Sequence, residues 1–125
     1  MSDSTPIRIR GADLVRAVVE DLRGGTPVPI VAARFHNGLA RVIVEVCHAL
    51  RGRHRLSTVA LSGGVFQNAL LTERTVRGLE KIGFRVLTHT RVPCNDGGIS
   101  FGQAVVAAAR DLRPGALLPQ RICER

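Results

Sequence analysis

The chain has 125 residues, a formal net charge of +8 and a hydrophobic content of 45%, and its aromatic side chains are four Phe. This length fits one domain or part of one, with a core of Val, Leu, Ile and Ala. The sequence has no apolar run of about 18 residues and no recognisable signal segment, so we expect neither a membrane span nor a secretory signal. Its three Cys form no Cys-x-x-Cys pair, which favours a reducing compartment and leaves no zinc motif. We therefore expect a cytoplasmic protein.

The positive charge is spread along the chain. All but one of the 18 basic residues are Arg, and the only dense cluster is Arg51, Arg53 and Arg55 with His54. This distribution is typical of a solvated surface, although an acidic partner or nucleic acid would also fit it. No aromatic side chain interrupts the cluster, so it lacks a stacking platform for single strands. We expect no nucleic-acid partner.

Hydrophobic periodicity predicts six elements in the order α-α-β-α-β-α. Helices are expected at about residues 11–23, 30–50, 66–82 and 99–112, and strands at about 57–61 and 85–90. Gly24-Gly25 should end the first helix and Gly83 the third, because glycine readily takes the left-handed conformation of a helix end. Residues 1–10 are predicted to be a disordered segment, residues 11–113 one lobe, and residues 114–125 a tail.

The strand–helix–strand order implies two parallel strands joined by a right-handed crossover. The predicted fold class is therefore α/β with a short parallel sheet. Two strands are few for a stable sheet, and each leaves an open edge, so we expect a separate chain or self-association to complete it. Ligands of such sheets gather at the carboxyl ends of the strands. Both glycine-rich loops of this chain lie at such ends.

The first loop is Leu61–Asn68, with the sequence Leu-Ser-Gly-Gly-Val-Phe-Gln-Asn, between the first strand and the third helix. Glycines there let the backbone approach a ligand, and N–H groups at a helix start can face a phosphate. A tight structural turn is the alternative. Ser62, Gly63 and Gly64 would offer backbone N–H groups, and the Asn68 side chain could contact a nucleotide or cap the helix. Neither a P-loop nor a dinucleotide fingerprint is present.

The second loop is Asn95–Gly98, with the sequence Asn-Asp-Gly-Gly, between the second strand and the fourth helix. Asp96 could cap that helix or bind a divalent cation bridged to phosphate, and the two roles are compatible. We expect Gly97 and Gly98 to join the nucleotide contacts. Cys94 is either a small buried side chain or a further metal ligand. The lone helical His36 is expected to be structural or solvated.

These motifs resemble a known family. Leu61–Asn68, followed by Leu70-Leu71, Val92-Pro93 and the segment Asn95–Gln103, is similar to the C-terminal end of the HypF carbamoyltransferases. The segment from residue 30 to residue 40 resembles the helix before these motifs, and the match covers roughly residues 11–110. The resemblance implies a Kae1/TsaD-like domain with the actin/Hsp70-like ATPase architecture, of which this chain would form part of the second lobe.

The resemblance also implies a chemistry. In the family, the Gly-Gly loop binds the nucleotide, which corresponds to Gly63, Gly64 and Asn68, and the Asp of the second loop is a metal ligand, which corresponds to Asp96. Family members take carbamoyl phosphate and ATP through carbamoyl-adenylate. They deliver the carbamoyl group to the C-terminal Cys of HypE during maturation of nickel–iron hydrogenase. The implied cofactors are ATP and a divalent metal, which could be Fe, Zn or Mg.

The chain also departs from the family. The acylphosphatase domain, the zinc-finger segments and the YrdC-like domain have no counterpart here, and the four His do not form the His-x-x-x-His motif of the first lobe. Cys94 stands where the family usually has Pro. We therefore predict a C-terminal fragment that supplies nucleotide and metal contacts, has no catalytic residue of its own, and needs a separate chain with the missing lobe. The alternative is a non-catalytic remnant or interaction module.

Overall fold

The computed structural model describes residues 6–111. It contains four helices, α1 (Gly11–Arg23), α2 (Val28–His54), α3 (Ala69–Lys81) and α4 (Ile99–Asp111), and two strands, β1 (Thr58–Ala60) and β2 (Arg85–Leu87). Short 3-10 turns at Gly64–Gln67 and Asp96–Gly98 precede α3 and α4. The predicted order and the α/β class are confirmed. The predicted ends of the first and last helix agree within the described range, and Leu112 lies outside it.

The two strands pair in parallel, with Val59 opposite Val86 at the centre of the register. Both strands are shorter than predicted. The backbone ladder continues one residue further at each side, since Arg85 N–H donates to the Ser57 carbonyl and Leu61 N–H donates to the Leu87 carbonyl, both at 2.9 Å. Beyond Leu87 the chain bends away and no further pairing forms within residues 6–111.

The core lies between this small sheet and one face of α3. Its buried centre is Leu61, Leu79 and Phe84, against which half-buried side chains of α2 and both strands pack. The neighbouring Cys47 lies in this apolar layer, and burial raises the pKa of its thiol. Thr75 of α3 is fully buried, and its hydroxyl has no hydrogen-bond partner among the described residues.

Helices α2 and α3 run in the same direction, because residues further along α2 contact residues further along α3. Near the start of α3, His36 meets Asn68. Further along, a Cβ added at Gly78 would lie 2.8 Å from Val44 Cγ2, which is closer than real Cβ atoms come. Glycine at this position therefore allows the two helices their close approach.

The end of the α2–α3 interface is held by Arg51. Its guanidinium donates to the Ile82 carbonyl at 2.7 Å and lies 4.5 Å from the centroid of the Phe84 ring. Gly83, with φ +82°, follows α3, and its N–H donates to the Glu80 carbonyl at 2.8 Å. The predicted glycine end of α3 is confirmed, and Arg51 fastens that end to α2.

Helix α4 projects from the rest of the described chain. Its residues are exposed along the whole helix, including the apolar Phe101 (58% exposed) and Val105 (50% exposed). Periodicity correctly predicts the helix, but the layer that would cover its apolar side is not formed by residues 6–111. No helix in this range is both long and apolar enough to cross a membrane.

Candidate functional site

The two glycine-rich loops meet at the carboxyl ends of β1 and β2. Gly63 N–H donates to the Cys94 carbonyl at 2.7 Å. A Cβ added at Gly64 would lie 3.8 Å from the Cβ of Asn95, so the backbone of the first loop also lies close to the Asn95 side chain of the second. The strand order predicts this proximity, because carboxyl ends of parallel strands share one edge of the sheet. The loops therefore form one continuous surface.

The first loop needs glycine for its backbone. Gly63 has φ +107° and ψ 154°, a conformation that side chains with a Cβ rarely adopt. No heavy atom lies within 4 Å of a Cβ placed there, so the constraint is conformational and not steric. Gly64 then opens the 3-10 turn that leads to Asn68.

The second loop is held by its own side chain and by a close backbone approach. Asn95 Oδ1 accepts from Gly97 N–H at 3.1 Å, so Asn95 makes the cap that the sequence also allowed for Asp96. A Cβ at Gly97 would lie 3.2 Å from that oxygen, and one at Gly98 would lie 2.5 Å from the Pro93 carbonyl oxygen. Only glycine fits the second of these positions.

Because Asn95 takes the capping role, the carboxylate of Asp96 is left uncommitted. Asp96 is exposed, and no residue in the range 6–111 forms a hydrogen bond or ion pair with its side chain. It stands at the start of the second 3-10 turn, beside the loop junction. The geometry is compatible with the predicted role as a cation ligand, and it removes the competing role.

Two histidines contact the polar side chains that flank the first loop. His89 Nε2 lies 2.9 Å from Ser62 Oγ, and His36 Nε2 lies 2.9 Å from Asn68 Nδ2. Asn68 Oδ1 also accepts from Leu71 N–H at 3.1 Å and so caps α3. The sequence indicates no role for His89, and it predicts only a structural or solvated side chain for His36. No local signal could have found these pairs, since their partners are 27 and 32 residues away in the chain.

The described residues do not form a complete metal site. No group of three or more His, Cys, Asp or Glu side chains in this part of the chain could hold a metal ion. Cys94 is half-buried and joins the loop junction through its carbonyl. A hard divalent cation needs several oxygen ligands. The role of Asp96 as one such ligand stays a prediction, and residues 6–111 alone do not complete the set.

The segment that carries these loops is similar to known proteins. The family model described as "Carbamoyltransferase, Kae1-like Domain, second subdomain" matches residues 2–103. The chain is 36% identical over 90 residues to the carbamoyltransferase HypF of Synechocystis sp., covering 72% of this chain and 11% of that protein. It is 40% identical over 89 residues to a HypF homolog of Cupriavidus necator, covering 71% of this chain and 22% of that protein.

A solved structure agrees with these matches. Full-length HypF in its phosphate- and nucleotide-bound form superposes with a TM-score of 0.76 at 38% identity, covering 83% of this chain and 14% of that one. The chain therefore spans a small part of its relatives. Residues 2–103, which the family model matches, contain both glycine loops.

Proposed function

Because this chain belongs to the HypF carbamoyltransferase family, as its second Kae1-like subdomain, we propose that it supplies part of a nucleotide and metal site. In this proposal Ser62, Gly63, Gly64 and Asn68 contact the phosphates and ribose of ATP, together with Gly97 and Gly98. Asp96 contributes one ligand to a divalent cation. The complete assembly acts in the cytoplasm, activates carbamoyl phosphate with ATP and transfers the carbamoyl group to a HypE-type protein in hydrogenase maturation.

The observation that carries this proposal is the hydrogen bond between Gly63 N–H and the Cys94 carbonyl. It holds a turn with a positive φ against a loop whose carboxylate is uncommitted. Backbone N–H groups and a bridging cation are the usual means of holding phosphates in glycine-rich turns. A relative that shares the fold of this region was solved in a phosphate- and nucleotide-bound form, which supports a nucleotide role in the complete assembly.

The proposal includes a second chain that carries the missing lobe. A two-stranded sheet with exposed apolar residues on α4 leaves a large apolar area without a covering layer within residues 6–111. Such an area marks an interaction surface. One metal ligand is also too few for a cation site. A partner that covers α4 and brings further ligands would meet both needs, and self-association would meet the first.

The test is reconstitution. This chain is co-expressed with the portion of a HypF relative that it does not cover, and carbamoyl-phosphate-dependent exchange between ATP and pyrophosphate is measured. We expect exchange from the pair and none from either chain alone. Asp96→Ala should lower the exchange rate by at least about tenfold, since the loss of a ligand is at least as costly as the loss of its supporting contacts. The control is Asp13→Ala, which removes an exposed carboxylate of α1.

Each outcome assigns a function. Full exchange with Asp96→Ala would remove Asp96 from the metal site while keeping the nucleotide role. Stable association without exchange would favour the second candidate, a non-catalytic interaction module, to which the single metal ligand of the described residues also points. Absence of both association and exchange would overturn the proposal.

A further inference from the structure

A series of hydrogen bonds links α2 to α3 through His36 and Asn68. A backbone carbonyl at one end and a backbone N–H at the other determine which atom donates in each bond. At one end, His36 Nδ1 lies 2.8 Å from the Ala32 carbonyl, which can only accept, so Nδ1 carries the proton. At the other end, Leu71 N–H can only donate, so the atom of Asn68 that faces it is Oδ1. The amide nitrogen Nδ2 then faces His36 Nε2 at 2.9 Å and donates to it.

Only one protonation state of the ring satisfies these contacts. In this arrangement Nδ1 of His36 carries a proton and Nε2 presents a lone pair, because Asn68 Nδ2 has no lone pair to accept a second ring proton. Tautomers are normally assigned and not observed, but here two backbone groups of known polarity determine the assignment. The orientation of the Asn68 amide is fixed by the same two anchors.

We propose that His36 is a positioning residue for the first glycine loop. It holds the Asn68 amide so that Oδ1 caps α3 and the second Nδ2 proton, which has no partner within residues 6–111, stays available for a phosphate oxygen. This assignment of a ligand rests on the proposed function, whereas the positioning itself does not. Without His36, the cap bond alone would hold an exposed side chain at the edge of the site.

A merely structural role would be to tie α2 to α3, and two substitutions separate the roles. In His36→Gln the amide oxygen reaches the position of Nε2 and accepts from Asn68, whereas the bond to Ala32 is lost. In His36→Asn the shorter amide reaches the position of Nδ1 and donates to Ala32, whereas the bond to Asn68 is lost. Ala32 lies on α2 itself, so His36→Gln keeps the contact between the helices and His36→Asn loses it. A merely structural tie therefore predicts a lower free energy of unfolding in His36→Asn with unchanged ligand binding by the folded protein, whereas positioning predicts weaker ligand binding by the folded protein as well.

The first measurement needs no ligand. Long-range proton–nitrogen NMR spectra of the full chain should show a protonated Nδ1 and an unprotonated Nε2 for His36. The Asn68 side-chain amide signals should move less in His36→Gln, which keeps an acceptor for them, than in His36→Asn. A proton on Nε2 in the wild type, or equal movement of the Asn68 signals in both variants, would overturn the proposal. Asn68→Asp is a second probe: a carboxylate still caps α3, but its other oxygen can only accept, so a proton should appear on His36 Nε2.

The second measurement is a titration with Mg·ATP. His36→Gln should bind within about twofold of wild type, whereas His36→Asn should bind about tenfold more weakly, as expected for one misplaced hydrogen bond. His48→Gln is the matched control, because His48 lies on the same helix and contacts Arg51, not Asn68. Equal losses in the two His36 variants would overturn the positioning role. If the wild type binds no Mg·ATP alone or with the partner fragment, the proposed function fails, and the NMR signals alone decide the role of His36.

Discussion

The close approach of α2 and α3 predicts that the effect of Gly78→Ala on the free energy of unfolding is opposite in sign when Val44 is present and when it is shortened. Gly78→Ala should stabilise α3 by about 1 kcal/mol through helix propensity. However, the new Cβ would lie 2.8 Å from Val44 Cγ2, roughly 1 Å inside normal contact. Overpacking of this kind costs about 1–3 kcal/mol. We therefore expect Gly78→Ala to lower the free energy of unfolding by about 1 kcal/mol in the wild-type background.

The same substitution should be stabilising once Val44 is shortened. In Val44→Ala the clashing methyl is gone and the remaining Cβ is 3.9 Å away, which is an ordinary contact distance. Gly78→Ala should then raise the free energy of unfolding by about 1 kcal/mol, because only the propensity term remains. The coupling between the two sites is then about 2 kcal/mol, within the range seen for residues in contact.

Urea unfolding followed by circular dichroism measures all four members of this cycle. The control is Gly52→Ala in α2, where no heavy atom lies within 4 Å of the new Cβ. It should be neutral or stabilising by up to about 1 kcal/mol in both backgrounds. The reasoning would be refuted if Gly78→Ala stabilised the wild type, or if its effect were the same with and without Val44.

Three further predictions follow from single features of the fold. Thr75→Val should raise the free energy of unfolding by about 1 kcal/mol in urea, since it removes a buried hydroxyl with no described partner; a loss of stability would mean that the hydroxyl is bonded. Gly98→Ala should speed hydrogen exchange throughout both loops because its Cβ meets the Pro93 carbonyl at 2.5 Å, whereas Gly102→Ala, with no such neighbour, should not; unchanged exchange in Gly98→Ala would contradict the close approach. Burial raises the pKa of the Cys47 thiol above its ordinary value of 9.0, so at pH 8 native protein should be alkylated there more slowly than unfolded protein. Raising the pH should speed the native reaction as the thiolate fraction grows; equal rates at pH 8 would show that the thiol is not shielded.

The sequence is informative where the determinants are local. Periodicity, glycines at helix ends and two loop motifs were enough for the element order, the α/β class and the family, all of which are confirmed. The boundaries of α3 were less accurate, because Asn68 caps the helix and the preceding residues Gly64–Gln67 form a tighter turn. The capping role of Asn95 was missed, since Asn and the adjacent Asp96 have nearly equal cap preferences.

Contacts between distant residues could not be predicted. The pairing of His36 with Asn68 depends on the packing of α2 along α3, and the pairing of His89 with Ser62 depends on the bend after β2. The exposure of α4 is a similar case, because periodicity shows which side of a helix is apolar but not what covers it. Assignments of nucleotide and metal contacts remain predictions that binding experiments must decide.

The junction between the loops bears on how this surface tolerates sequence change. Residue 94 takes part through its carbonyl oxygen, which accepts from Gly63 N–H. Every amino acid has this carbonyl, including the proline that the family resemblance leads one to expect at this position. Replacing that proline by Cys94 therefore leaves the bond between the loops intact. Backbone geometry restricts the loop positions to glycine. The side chain at position 94 can change without breaking the hydrogen bond that joins the two loops.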